Sequence, residues 1–224
     1  MTALPVVVRF LLLFLAATVA IALFLFVPAG TLDYWQAWLY MAVVLLPAAI
    51  VITYFMINDP AFLERRLRTR EKETKQQLII KFGTLIFIAG FLIPGLDHLF
   101  GWSDVPFELV VAADALVFLS YMFIFLVFKE NSWAGRTVQV EKGQKVVTTG
   151  PYAIMRHPMY FGAIIMYVAT PIALGSYWAL PPFLFIIPIF IYRILNEEEV
   201  LRRELPGYIE YCKKTRYRLL PYVW

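Results

Sequence analysis

A single cysteine in 224 residues, Cys212, removes any internal disulfide framework and any multi-cysteine zinc site. The two histidines, His98 and His157, leave too little for a histidine-rich metal centre, so no metal is expected. Charge is scarce too. Asp, Glu, Lys and Arg together make up 16% of the chain, where a soluble domain keeps roughly a quarter, and this excludes an ordinary cytosolic enzyme. Disorder needs low hydrophobicity and high net charge, and is excluded by a chain that is 61% apolar with mean hydropathy +0.71. The net charge of +4 is not gathered into a basic face, which argues against a nucleic-acid partner. What remains is an integral membrane protein.

Crossing the hydrocarbon takes about 20 predominantly apolar residues in a helix. Six runs qualify as candidates: 10–27, 34–57, 78–96, 106–128, 158–174 and 177–195. The first exceeds the apolar core of a signal peptide, and no small-residue cleavage site follows it. The last two are separated only by Gly175-Ser176, which predicts a tight helical hairpin over 158–195. The expected fold is therefore all-α, a polytopic membrane bundle of about six spans. Charge placement supports this count. The alternate connections 28–34, 96–106 and 175–176 carry Asp33, Asp97 and Asp104 but no lysine or arginine. The 20 basic residues fall on the N-terminal flank, on 58–81, on 129–157, or from Arg193 onward. Such a bias marks the cytoplasmic side, so both termini are expected there.

In the loop 58–80, Asp59 suits a helix cap, Pro60 a first helical position, and Leu63 and Leu67 share a face. This reads as a helix lying on anionic headgroups, or as a basic topogenic loop, and the two are compatible. Asp114 is an acid inside a span, a functional candidate by default, but it stands roughly 20 Å from the basic end of its helix and reads as packing polarity or a short outer interface. His98 reads as a solvated loop residue. Cys212 reads as a buried or interfacial residue whose neighbours Lys213 and Lys214 favour a lowered pKa.

The longest polar stretch, 129–157, ends in Gly150-Pro151-Tyr152 and then Arg156-His157-Pro158-Met159-Tyr160. Gly150-Pro151 is a turn, and Pro158 suits the first turn of the next helix, with His157 at its cap. A helix start offers unpaired N–H groups to an anion, which Arg156 would reinforce, although the same pair also reads as a headgroup anchor. Arg193 and Glu197 are four apart on one helical face, a spacing equally common for a snorkelling arginine and its partner. Folding the hairpin at Gly175-Ser176 brings position 158 level with about 194. Arg193 and Glu197 then arrive beside His157 and Tyr160, making one polar pocket open to both cytosol and lipid.

Gly150-Pro151-Tyr152 followed by Arg156-His157-Pro158-Met159-Tyr160-Phe161-Gly162 resembles the signature of the isoprenylcysteine carboxyl methyltransferase family, shared in part by the membrane phospholipid methyltransferases. The tail is similar as well: Arg193, Glu197-Glu198 with Leu201, the pair Tyr208 and Tyr211, and Arg218-Leu219-Leu220-Pro221. The resemblance covers about 131–224 and departs from the pattern at Leu205-Pro206-Gly207, where one residue is missing. It implies S-adenosylmethionine as cofactor, and no glycine-rich nucleotide fingerprint of the soluble kind is present. By position, the resemblance puts Gln139, Gln144, Lys145, Val146, Val147, Tyr152, His157, Pro158, Met159, Tyr160 and Glu197 at the cofactor. Arg193 falls on the methyl acceptor, so Arg193 and Glu197 carry the catalysis. The acceptor it implies is a lipid-like molecule, most simply a carboxylate, reached from the surrounding membrane lipids. Were the acceptor an amine, Glu198 or a tyrosine would have to take its proton. The chain then divides into a four-span region, 1–128, and a cofactor-binding region, 129–224. Two rival readings stand: an NADPH-dependent reductase of the sterol-reductase type, whose tail resembles 212–222, and a non-catalytic membrane component.

Overall fold

The computed structural model describes residues 6–67 and 74–224, and every regular element among them is helical. In chain order these are α1 (Val6–Ala29), α2 (Trp35–Asn58), α3 (Pro60–Leu67), α4 (Thr74–Phe100), α5 (Phe107–Glu130), a 3-10 turn (Gly150–Ala153), α6 (Pro158–Ala173), α7 (Leu180–Leu184), α8 (Ile186–Glu204) and α9 (Tyr208–Lys214). The part of the expected basic loop that falls on 68–73 lies outside the described residues.

Among the described residues, five segments are long and apolar enough to cross a membrane: Val8–Ala29, Trp35–Asn58, Ile80–Phe100, Phe107–Glu130 and Leu180–Glu204. The fifth combines α7 and α8, which break at Phe185. The remaining apolar run forms α6, whose 16 residues reach about 24 Å, short of the roughly 30 Å hydrocarbon core. The left-handed Gly175 (φ 72°) follows its end, within one residue of the expected boundary. The protein is thus an integral membrane protein whose described residues give five helices of crossing length and one shorter apolar helix, where about six spans were expected.

The expected tight hairpin is splayed. Between α6 and α8 stand Tyr177, Trp178, Ala179 and α7, with Pro181 and Pro182 in its first turn. α6 lies chiefly along α5 instead. Gly162 permits this close approach, because a Cβ there would stand 2.8 Å from Ile124 Cγ1 and 3.0 Å from Phe123 Cδ1. α6 reaches α8 through rings, with Tyr160 and Tyr167 at 5.3 Å and 6.1 Å from Phe190.

At one end of the bundle a buried polar knot ties the connections together. Asp97 accepts hydrogen bonds from Ser103 N (2.7 Å), Ser103 Oγ (2.6 Å) and Ser176 Oγ. His98 is not simply solvated. Its ring stacks on Tyr34 at 4.2 Å, and Nε2 lies 3.0 Å from the Asp33 carbonyl. At the other end, Asp59 caps α3 by accepting from Phe62 N at 2.9 Å. Phe62 and Leu63 are buried against Phe55 and Phe128, so this short helix docks on α2 and α5. Arg65 donates to Ser132 O (2.9 Å) and Ser132 Oγ (2.8 Å), which ties α3 to the irregular strap 131–149. Asp114 is buried in α5, and neither of its carboxyl oxygens has a hydrogen-bond partner among the described residues.

Candidate active site

Residues from four parts of the chain meet at the α3 end of the bundle. His157 occupies the N-cap position of α6 and Pro158 its first turn, as the sequence predicts. The backbone entering α6 is fixed by the chain end: Arg156 N donates to Tyr217 O and His157 N to Arg218 O, both at 2.9 Å. Trp224 O in turn accepts from the N–H groups of Arg218, Leu219 and Leu220. This pairing explains why the Arg218-Leu219-Leu220 tail accompanies the Arg156-His157 motif. Each backbone holds the other in place.

Below this turn lies a buried charge cluster centred on Glu198, which is 2% exposed. Its Oε1 accepts from Arg156 Nε at 2.6 Å and stands 3.4 Å from His157 Nε2, while Oε2 accepts from Arg218 Nε at 3.1 Å and Arg202 Nη2 at 3.4 Å. Arg156 also donates from Nη1 to the carbonyls of Thr215 and Arg216, each at 2.8 Å. Burial disfavours the charged Arg156, but the hydrogen bond and the opposite charge of Glu198 outweigh it and leave the guanidinium pKa raised. The anion that Arg156 attracts is therefore Glu198. With its oxygens already engaged by three guanidiniums and the His157 ring, Glu198 is not placed to serve as the base expected for an amine acceptor.

The catalytic candidates face the other way. Tyr160 links them: its hydroxyl donates to Glu197 Oε2 at 2.6 Å and accepts from Arg193 Nε at 2.8 Å. Arg193 also donates from Nη2 to the Arg136 carbonyl at 2.7 Å. The expected convergence of the Arg156-His157 motif with Arg193 and Glu197 is thus realised, through α6 and α8 rather than along a tight hairpin.

A cavity of about 860 Å³, partly open to solvent, opens at this point. Of the sequence-derived cofactor residues, Gln139, Gln144, Lys145, Val146, Val147, Tyr152, His157, Met159, Tyr160 and Glu197 line it, as does Arg193; Pro158 does not. Pro158 instead starts α6 and is buried. Gln139 donates to Glu141 Oε1 at 2.5 Å and Gln144 Oε1 accepts from Glu141 N at 2.9 Å, forming a turn that passes through Gly143 (φ 80°). Val140 and Val146 pack the strap onto Leu205, Tyr208 and Tyr211.

Sequence reasoning quoted Tyr208 and Tyr211 but gave them no place in the site. Both line the cavity from α9, together with Asn131 and Trp133 of the strap. Tyr211 donates to the Tyr152 carbonyl at 2.7 Å. The Tyr208 hydroxyl is buried without a well-formed hydrogen bond among the described residues, the Cys212 thiol being nearby. Burial raises the pKa of Tyr152, Tyr208 and Tyr211, so all three remain neutral donors. Burial likewise raises the Cys212 pKa, ahead of the opposing pull of Arg156 and Arg202, so the expected lowering by adjacent lysines does not occur.

A second cavity, of about 1310 Å³, adjoins the first between α5, α6 and α8. It is the space left by the splayed hairpin. The two share Gly135, Met159, Tyr160 and Arg193 as common wall.

Comparison with known proteins now bears on these cavities. The phospholipid methyltransferase family matches residues 109–206. Over that segment the chain is phospholipid-methyltransferase-like. The segment runs from α5 through the strap to the end of α8, and contains the shared wall and most of the first cavity. The mouse Delta(14)-sterol reductase is 31% identical over 91 residues, spanning 39% of this chain and 22% of that protein's length.

Proposed function

We propose that the protein is an integral-membrane methyltransferase that transfers a methyl group from S-adenosylmethionine to a lipid-like acceptor, most simply a carboxylate. The observation that carries this reading is the pair of adjoining cavities, one polar and one largely apolar, meeting at Met159, Tyr160 and Arg193. Bound S-adenosylmethionine supplies an electrophilic sulfonium methyl, so no covalent nucleophile is required of the protein. The first cavity fits that cofactor in its donor set: Glu197 offers a carboxylate to an ammonium or ribose hydroxyl, and the start of α6 offers N–H groups to a carboxylate. The buried Tyr208 hydroxyl, whose neighbour is the weakly accepting Cys212 thiol, offers a further donor.

Arg193 orients the acceptor with its planar fork, itself held by Tyr160. Tyr160 and Met159 exclude water at the meeting point, so the residues act by positioning rather than by proton transfer. A carboxylate acceptor is already ionised at neutral pH and needs no base. The site faces the cytoplasm in this reading, because the connections at the opposite end carry no lysine or arginine.

The reductase reading draws on the sterol-reductase relative. Against it, the sterol reductases carry an asparagine before the tyrosine of the Arg-His motif, where this chain has Pro158-Met159. Thermal unfolding of the purified protein with S-adenosylhomocysteine and with NADPH separates the two, since a specific ligand raises the midpoint with its concentration. Stabilisation by S-adenosylhomocysteine is expected. Arg193→Ala should then abolish methyl transfer while retaining that stabilisation, and Glu197→Ala should weaken it. A response to NADPH alone would overturn the proposal.

A further inference from the structure

The second cavity has a one-sided charge. Arg66 of α3, Arg136 of the strap and Arg193 of α8 line it, and among the described residues no aspartate or glutamate does. The remaining wall is apolar or aromatic, including Phe125, Met166, Ile189 and Phe190. Arg193 is held by Tyr160 and a backbone carbonyl. Arg66 is held far more loosely: its Nη1 stands 3.5 Å from Ala134 O, 3.4 Å from Gly135 O and 3.9 Å from Met159 Sδ, at the outer limit of hydrogen bonding. Its guanidinium lies over the Phe128 ring at 4.6 Å, which fixes its position without neutralising it. Burial foremost lowers the Arg66 pKa; Tyr160 opposes it, and the charges of Arg136 and Arg193 add to the lowering. Like charges gathered beside an apolar chamber are relieved by an anion.

We propose that Arg66 and Arg136 form a headgroup site that binds the anionic head of a membrane amphiphile whose apolar chain occupies the space between α5, α6 and α8. A water-soluble anion has no use for the apolar wall, and a neutral lipid none for the two guanidiniums. Arg136 is exposed while Arg66 is half-buried, so the head sits where the chamber meets the membrane surface. Arg66 lies outside the segment matched to the methyltransferase family. That the occupant is the methyl acceptor rests on the reading above. That the site binds it does not.

The test uses the full chain in dodecyl maltoside, titrated with dodecyl phosphate, dodecanoate, dodecanol and dodecyltrimethylammonium while thermal unfolding is followed. The two anions should raise the unfolding midpoint saturably, and the alcohol and the cation should not. The stronger of the two anions identifies the head as phosphate or carboxylate. Arg66→Gln should weaken the anion response about tenfold, the value of one charged hydrogen bond, and leave the response to S-adenosylhomocysteine at the parent's level. Arg136→Gln should do the same and stands in if Arg66→Gln fails to fold. Loss of the anion response in these variants supports the site whether or not S-adenosylhomocysteine binds the parent. An equal response to dodecanol and dodecyl phosphate, or an unweakened anion response in both variants, overturns it.

Discussion

Replacing Glu198 by glutamine keeps the volume of the side chain and removes its charge. The structure sets the scale of the loss. Arg156 is 7% exposed and donates to Glu198 at 2.6 Å, and Arg202, Arg218 and the His157 ring converge within 3.4 Å. Breaking a buried pair by neutralising one partner costs about 3–5 kcal/mol, because the other charge is left buried without compensation. For a chain of this size each kcal/mol moves the unfolding midpoint by roughly 2–4 °C, so Glu198→Gln should lower it by about 6–20 °C. The double variant Arg156→Met/Glu198→Leu should recover much of that loss, because a hydrophobic replacement of a buried pair is often close to neutral. Scanning fluorimetry in detergent reads both. A drop of less than about 2 °C in the single variant, or a double variant no better than the single, would show that the cluster does not hold the site together.

Other outcomes follow from the same geometry. Tyr208→Phe should leave stability unchanged or slightly raised, because it removes a buried hydroxyl lacking a well-formed bond. It should also weaken S-adenosylhomocysteine binding by about tenfold if that hydroxyl serves the cofactor, as isothermal titration would record. Gly162→Val should destabilise by about 1–3 kcal/mol through overpacking, since even a Cβ meets Ile124 at 2.8 Å; a midpoint equal to the parent's would contradict the α5–α6 contact. Cys212 should react with iodoacetamide more slowly than a free thiol at pH 8–9 and gain reactivity only at higher pH, because burial raises its pKa. With the folded pKa above the unfolded one, this group's contribution to stability is intact below the ordinary thiol range and is lost as pH rises through and beyond it. A pH–rate profile identical to that of glutathione would refute the burial.

The apolar runs made the membrane-spanning helices legible because a helix crossing lipid must satisfy its backbone internally and show little charge. The end of α6 was legible to within one residue, because Gly175-Ser176 marks it. The break between α7 and α8 at Phe185 was not, since the apolar run continues across it without any change in composition. The meeting of Tyr160 with Arg193 and Glu197 could be read, since it depends on turn arithmetic and helical spacing. The role of Glu198 could not. Adjacent glutamates on a helix point about 100° apart, and only packing decides which of Glu197 and Glu198 faces the cavity and which is buried among arginines. Arg66 was missed for a different reason. Its basic loop reads as topogenic, and nothing local shows that α3 folds back under α5. Tyr208 and Tyr211 had a signal in their three-residue spacing, which puts both rings on one side of α9.

A phenol has a single proton to give. At Tyr160 that proton is committed to Glu197 while the oxygen takes a bond from Arg193, so one atom stands between a group serving each chamber. A molecule that draws the guanidinium towards itself weakens that atom's hold on Arg193 and shifts its bond to the carboxylate. If the two cavities hold cofactor and acceptor as proposed, occupancy on one side would be felt on the other, and by thermodynamic reciprocity the influence would be equal in both directions.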